Sequence, residues 1–148
     1  MLMTVSRFWP AVFRAQYRIL AWLDPPIRAA WHKVGIGNVV ELRVAGRQDG
    51  AVRSRMVGIL HVGGRSYLGH PNGQVGWTRD LEASGEGVMV WPNGFEWHFR
   101  ARPLPVGEER EQAIRATGQH PFPGSLVYRL GRRHVRRVGV YFRLEDIE

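Results

Sequence analysis

Three arginines, Arg47, Arg53 and Arg55, fall within residues 46–57, Gly-Arg-Gln-Asp-Gly-Ala-Val-Arg-Ser-Arg-Met-Val. Gly46 and Gly50 bracket a turn whose backbone N–H groups stand exposed, with guanidiniums around it. A turn of this kind between strands can cradle a phosphate, because guanidinium offers paired donors to an anion. A solvated basic hairpin is the competing reading. The second segment is 70–83, His-Pro-Asn-Gly-Gln-Val-Gly-Trp-Thr-Arg-Asp-Leu-Glu-Ala. Here a Pro-Asn-Gly loop ends a strand and leads into a short helix that carries Trp77. Helix N–H groups suit an anion, and an indole can wall a planar ring. Core packing of Trp77 is the alternative.

Other chemistry is poorly supported. His32, His61, His70, His98, His120 and His134 form no i,i+4 pair and no zinc-type spacing, so no metal is expected. His61 and His70 could face each other across the Gly63-Gly64 turn, although polar strand positions explain them as well. Ser54, Ser66, Ser84 and Ser125 lie in no nucleophile-elbow context. Glu108, Glu109 and Glu111 crowd one helix first turn, where they favour the helix dipole and do not form a catalytic pair. With no cysteine there is no disulfide, thiolate ligand or thiol nucleophile, which fits a cytoplasmic setting.

The positioning elements follow from hydrophobic period. Residues 7–23 read as a helix with Ser6 as N-cap and Asp24-Pro25-Pro26 as its stop. Its apolar arc runs through Phe8, Trp9, Val12, Phe13, Ala15, Tyr17, Ile19, Leu20, Trp22 and Leu23, and only Gln16 interrupts it. Arg7, Arg14 and Arg18 form a stripe opposite. A short second helix is expected over 27–33. From there the period becomes two. Strands are expected at 39–44, 53–62, 65–70, 87–91, 95–102 and 138–144. In 95–102, Phe95, Trp97, Phe99 and Ala101 should face the core. Asn93-Gly94 and Gly63-Gly64 suit two-residue hairpin turns. Helices are expected near 77–84 and 107–117, and a loop over 118–125. Six hairpin-linked antiparallel strands hide their edges best as a small barrel. The class is therefore mainly β with flanking helices, as one domain over 1–148: helices in 7–33, barrel in 38–144.

The chain has 148 residues, enough for one core. It carries 21 basic residues against 13 acidic ones, a formal net charge of +8 with one lysine, and this favours an anionic partner. Arg7, Arg14, Arg18 and Asp24 interrupt the N-terminal apolar run, so neither a membrane span nor a signal peptide is expected. The wide apolar face of 7–23 still needs cover, from a dimer partner or from an anionic membrane surface. A nucleic-acid partner is not expected, because Phe95, Trp97 and Phe99 belong to the core face and make no stacking platform.

Taken together, the two segments resemble the deazaflavin-dependent nitroreductases, the actinobacterial split-barrel oxidoreductases. That family has G-R-x-S-G-x-x-R-x-x-P-L, a glycine loop, then W-x-x-N-L-x-A. The matching residues are Gly46, Arg47, Gly50, Arg53, Asn72, Gly73, Trp77, Leu81 and Ala83. The likeness spans about 100 residues, includes the later strands, and extends to the N-terminal helix. It implies a split β-barrel of the FMN-binding type that holds the deazaflavin coenzyme F-420 and passes hydride to a quinone, nitro compound or similar acceptor. It also implies a candidate cofactor site of Arg47, Gln48, Gly50, Arg53, Arg55, Met56, Val57, His70, Pro71, Asn72, Gly73, Trp77, Asp80 and Leu81. Tyr128 is the candidate substrate contact. A homodimer, and a cytoplasmic place at the inner membrane face, fit this reading.

Three positions depart from the family pattern: Asp49 stands for Ser, Asp80 for Asn, and Met56-Val57 for Pro-Leu. A carboxylate about 4 Å from a phosphate costs on the order of 4 kcal/mol at an effective dielectric near 20. Asp49 should weigh most unless Arg47 or Arg53 neutralises it. The alternatives are an FMN-binding relative, or a non-redox barrel that binds a lipid or other hydrophobic ligand.

Overall fold

The computed structural model describes residues 2–22 and 24–147, without the side chains of 2–6, 20–22, 24, 27, 32 and 34. Leu23 and the side chains of Leu20 and Trp22, all on the expected apolar arc, therefore lie outside the described residues. Helix α1 spans Leu2–Trp22 and α2 spans Asp24–Val34. Ser6 is inside α1 and so does not cap it. Pro25 and Pro26 sit in the first turn of α2, where a missing N–H costs nothing, so the same residues that break α1 also start α2.

Seven strands follow: β1 (Val39–Ala45), β2 (Val52–Gly58), β3 (Leu60–Val62), β4 (Arg65–His70), β5 (Glu86–Val90), β6 (Glu96–Pro103) and β7 (Val140–Asp146). Between them lie α3 (Gly76–Ser84), α4 (Glu108–Arg115), a 3-10 turn (Ala116–Gln119), α5 (Gly124–Leu130) and α6 (Arg132–Val138). All pairings are antiparallel, in the order β2-β1-β5-β6-β7-β4-β3. The two outermost strands are thus consecutive in the chain, with Ile59 alone between them. A flat sheet cannot meet that constraint, so the sheet curls until its edges approach.

The expected single strand 53–62 is therefore two strands, and the strand count is seven instead of six. Asn38 causes the break. Its carbonyl accepts from Ile59 N (3.0 Å) and its Nδ2 donates to Ile59 O (2.9 Å), taking both backbone groups of Ile59 away from strand pairing. Gly58 makes room for the switch, since a Cβ there would collide with the His120 imidazole.

Other boundaries shift for local reasons. Gly63-Gly64 forms the two-residue turn, with both glycines at positive φ. The β5–β6 turn instead has Pro92-Asn93-Gly94 at its tip, closed by Gly94 N to Trp91 O and Trp91 N to Phe95 O, both 2.9 Å. Phe95 consequently sits in the turn, 61% exposed and off the core, whereas Phe99 is fully buried and Trp97 half-buried. His61 pairs with Ser66 and not with His70. Residues 118–125 run from the 3-10 turn into α5, and α6 takes the place of the expected start of β7. Arg110, buried in α4, caps α6 by donating to Gly139 O (2.8 Å) and Val135 O (3.3 Å).

Two apolar clusters hold the fold. Inside the curl lie Val40, Leu42, Val44, Leu68, Met89, Phe99 and Phe142, closed by Trp77 and Leu81 of α3. On the other face of β3, β4 and β7, Leu60, Tyr67 and Tyr141 pack under Ile114, Val135 and Phe13. Strands β4 and β7 are thus covered on both faces. Helix α1 meets α5 through Phe13 on Tyr128, and Trp9 and Phe13 pack against Gly131 just after it, whose lack of a side chain allows the approach. Both carboxylate oxygens of Glu109 accept from Arg143 Nη1 (2.7 and 2.9 Å), which fastens α4 to β7.

Candidate functional site

A cavity of about 350 Å³ opens between the β1–β2 turn and α3. Arg47, Gln48, Arg53, Arg55, Trp77 and Asp80 line it, together with Leu42, Val44 and Gly76. The turn that presents Arg47 is closed by Gly46 N to Ala51 O (2.9 Å) and Gly50 N to Gly46 O (2.8 Å). Alternation along β1 sends Leu42 and Val44 inward, so the floor of the cavity is apolar and its rim is cationic. Sequence reasoning assigned Leu42 and Val44 only to the strand. Their inward period, just before the glycine-bracketed turn, was the signal available.

The rim cations are already engaged. Arg47 donates from Nη1 to Asp80 Oδ1 (2.6 Å) and to Gly76 O (3.3 Å), and its backbone N–H also donates to Asp80 (3.2 Å). Burial pushes the Asp80 carboxyl up. The hydrogen bonds from Arg47 and the charges of Arg47 and Arg53 outweigh burial and hold it below the usual carboxylate range. Arg53 donates to Asp49 (2.6 Å), and Asp49 also accepts from Ala51 N (3.0 Å). The Asp49 side chain is 50% exposed against 12% for Asp80. Asp80, the more enclosed carboxylate, is therefore the stronger competitor for an incoming anion. Arg55 has no carboxylate partner among the described residues and lies over the Tyr17 ring at 5.8 Å.

The remaining candidates sit elsewhere. Gly50 is at the tip of the turn, with open space where a side chain would be. Met56 and Val57 pair with Glu41 and Val40 in β2, and Val57 packs on the inner core. Leu81 is wholly buried in that core. His70, Pro71, Asn72 and Gly73 form the end of β4 and the turn after it. The His70 ring meets Trp77 at 6.4 Å and Tyr17 at 5.8 Å, both edge-on, so it stands behind the cavity wall. Burial drives its pKa down to about 4, against the smaller opposing effect of the Gly73 carbonyl, and the ring is neutral at pH 7. Asn72 bridges helices: its Oδ1 accepts from His134 Nε2 (2.8 Å) and its Nδ2 donates to Pro10 O (3.2 Å). Tyr128 packs on His120 (4.8 Å) and Phe13 (5.5 Å), under α1 and apart from the cavity lining. Among the described residues no cluster of His, Asp or Glu is arranged to hold a metal.

No protein-family model matches the chain, and no curated protein does. Solved structures do. An F-420-H2 dependent reductase shares 18% identity at a TM-score of 0.58, covering 73% of this chain and 94% of its own. The heme storage protein HutZ from Vibrio cholerae shares 13% at 0.53, with 85% and 91% covered. A putative pyridoxamine 5'-phosphate oxidase from Listeria innocua shares 12% at 0.51, with 85% and 94% covered. At these identities the likeness defines the architecture: this chain has the split β-barrel fold, mainly β with flanking helices.

Proposed function

We propose that this chain is an oxidoreductase that uses the deazaflavin coenzyme F-420, with the cavity beside α3 as its cofactor site. The observation that carries this reading is the lining itself: an apolar floor of Leu42 and Val44, an indole wall from Trp77, and a rim of three guanidiniums. These residues fit a planar ring with an anionic appendage. Arg53 and Arg55 would hold the anion, Arg47 would do so once released from Asp80, and Trp77 would flank the ring. When bound, the coenzyme supplies the hydride; the chain supplies orientation, a dry floor and positive potential. The F-420-H2 dependent reductase among the structural neighbours supports the choice of cofactor. FMN is the second reading, favoured by the pyridoxamine phosphate oxidase-like neighbour. A third is a barrel without redox activity that takes a hydrophobic ligand, favoured by the Arg47–Asp80 and Arg53–Asp49 pairs.

The discriminating experiment is a titration of purified protein with oxidised F-420, FMN and haem in parallel, followed by absorbance and fluorescence. Saturable binding of F-420 alone is the expected result. Saturation by FMN or haem alone would replace the cofactor, and silence with all three would favour the non-redox barrel. A homodimer through the open edge of β2, where residues 52–55 are exposed on both faces, belongs to the same proposal and is read by sedimentation velocity.

A further inference from the structure

The excess positive charge of the chain is confined to its helical layer. Residues 1–38 carry Arg7, Arg14, Arg18, Arg28 and Lys33 against the single acid Asp24. Residues 112–139 carry six arginines and no acid. Residues 39–111 balance at nine basic and nine acidic, and 140–148 are net acidic.

Pairing leans the same way, although Arg55 and Arg100 of the barrel have no carboxylate partner among the described residues and Arg28, Arg115 and Arg136 of the helical layer do have one. On the barrel, Arg43, Arg47, Arg53, Arg65, Arg102 and Arg143 all have carboxylate partners. Arg7, Arg14 and Arg18 of α1, with Arg129 of α5 and Arg133 of α6, are exposed and have no acidic partner among the described residues.

Large apolar side chains are exposed on the same layer. Phe8 and Ile19 of α1 project from it at 56% and 58% exposure. Phe122, Leu126 and Leu130 recur every four residues along the segment of α5 and are exposed as well. The two helices touch through Phe13 on Tyr128, and Trp9 and Phe13 also meet Gly131 just after α5, so the two helices lie in one layer. The interior of the fold uses the other side of α1, where Phe13 is buried and Tyr17 reaches Arg55 and His70.

We infer that the outer faces of α1 and α5 form a docking surface for an anionic lipid bilayer. Apolar side chains set among unpaired arginines match the two layers such a surface meets, acyl boundary and anionic headgroups. A second copy of the chain is a poor occupant. It would bring two faces of the same sign together, with no acid on either to offset the repulsion. Docking is peripheral, since among the described residues no helix is long and apolar enough to cross a membrane. The inference does not depend on which cofactor the cavity holds.

The test is co-sedimentation of the full chain with phosphatidylcholine vesicles, with and without phosphatidylglycerol. Two variants accompany it: Leu126→Ser with Leu130→Ser, and Arg14→Glu with Arg18→Glu. All four positions are exposed, and circular dichroism checks that each variant keeps the fold. Pelleting with the anionic vesicles only is expected, and each double variant should weaken partition roughly tenfold or more. No pelleting with anionic vesicles, equal pelleting with neutral ones, or variants that pellet like the parent would overturn the inference. Self-association that Leu126→Ser with Leu130→Ser abolishes would assign the face to a second copy instead.

Discussion

Arg47 and Asp80 meet at 2.6 Å across the mouth of the cavity and join the β1–β2 turn to the middle of α3. The pair has two consequences that oppose each other. It braces the turn that presents the rim, and it occupies one of the three guanidiniums that line the cavity. An incoming phosphate must share Arg47 with a carboxylate that is mostly enclosed and ionised. Asp80→Asn keeps a hydrogen-bond acceptor and removes the charge. The variant should bind F-420, or inorganic phosphate as a competitor, about tenfold or more tightly, the scale of one charge removed near an anion site. Isothermal titration reads this directly, and an unchanged affinity would mean that the anion does not approach Arg47.

Asp49 should matter less. It is half exposed, it closes the turn through Ala51 N, and Arg53 already offsets its charge. Asp49→Ser is expected to tighten anion binding by a smaller factor than Asp80→Asn. The order of the two variants is the observable; the reverse order would place the anion at the turn tip.

Arg53→Ala should weaken F-420 binding by about 1.5–3 kcal/mol, the range for a hydrogen bond to a charged group. Thermal unfolding of the same variant should change little, because the Arg53–Asp49 pair is exposed and solvent-screened. Equal affinity in parent and variant would remove Arg53 from the site.

Acid should unfold the protein through its buried histidines. Burial lowers both His70 and His120 to about 4. A neutral ring is favoured in the fold and a charged one in the unfolded chain, so the unfolded state binds more protons between pH 6.5 and 4. Stability is thus complete above pH 6.5 and falls as pH drops toward 4, by on the order of 3 kcal/mol per ring. Denaturant midpoints across this range should decline, and His120→Gln should flatten the decline. A flat profile in the parent would contradict the burial of both rings.

Gly58→Ala tests the strand switch. Any Cβ there must displace the His120 ring, which Asn38 and Tyr128 hold in place. Overpacking of this kind costs about 1–3 kcal/mol, measurable as a lower denaturant midpoint with an unchanged slope.

Much of the barrel was legible in the sequence because one rule governs it locally. In β6, Glu96, His98, Arg100 and Arg102 face water while Phe99 and Ala101 are buried, which is the period of the pleat itself. The split of 53–62 was not legible. It is decided by Asn38, 21 residues from Ile59, and by His120, farther still, and no local pattern carries such contacts. Helices α5 and α6 were missed for a related reason. Each has seven residues, too few to stand by propensity, and α6 depends on Arg110 from another helix to satisfy its last carbonyls. At the site, the arginines and Trp77 announced themselves by type and spacing. The engagement of Arg47 by Asp80 did not, because the two lie 33 residues apart and meet only when α3 folds against the turn.

We propose that the cavity walled by Trp77 and rimmed by Arg53 and Arg55 takes a planar, anionic cofactor. The most direct test is an equilibrium titration of oxidised F-420, followed by the cofactor's own fluorescence, with the parent chain and with Trp77→Phe and Arg55→Ala. Expected are saturable binding to the parent, a changed emission and weaker binding with Trp77→Phe, and affinity lowered about tenfold or more with Arg55→Ala, as for loss of a charge-assisted hydrogen bond. Saturable binding with the same affinity and emission in all three proteins would place the cofactor elsewhere, and no binding to the folded parent would mean that the cavity does not hold F-420.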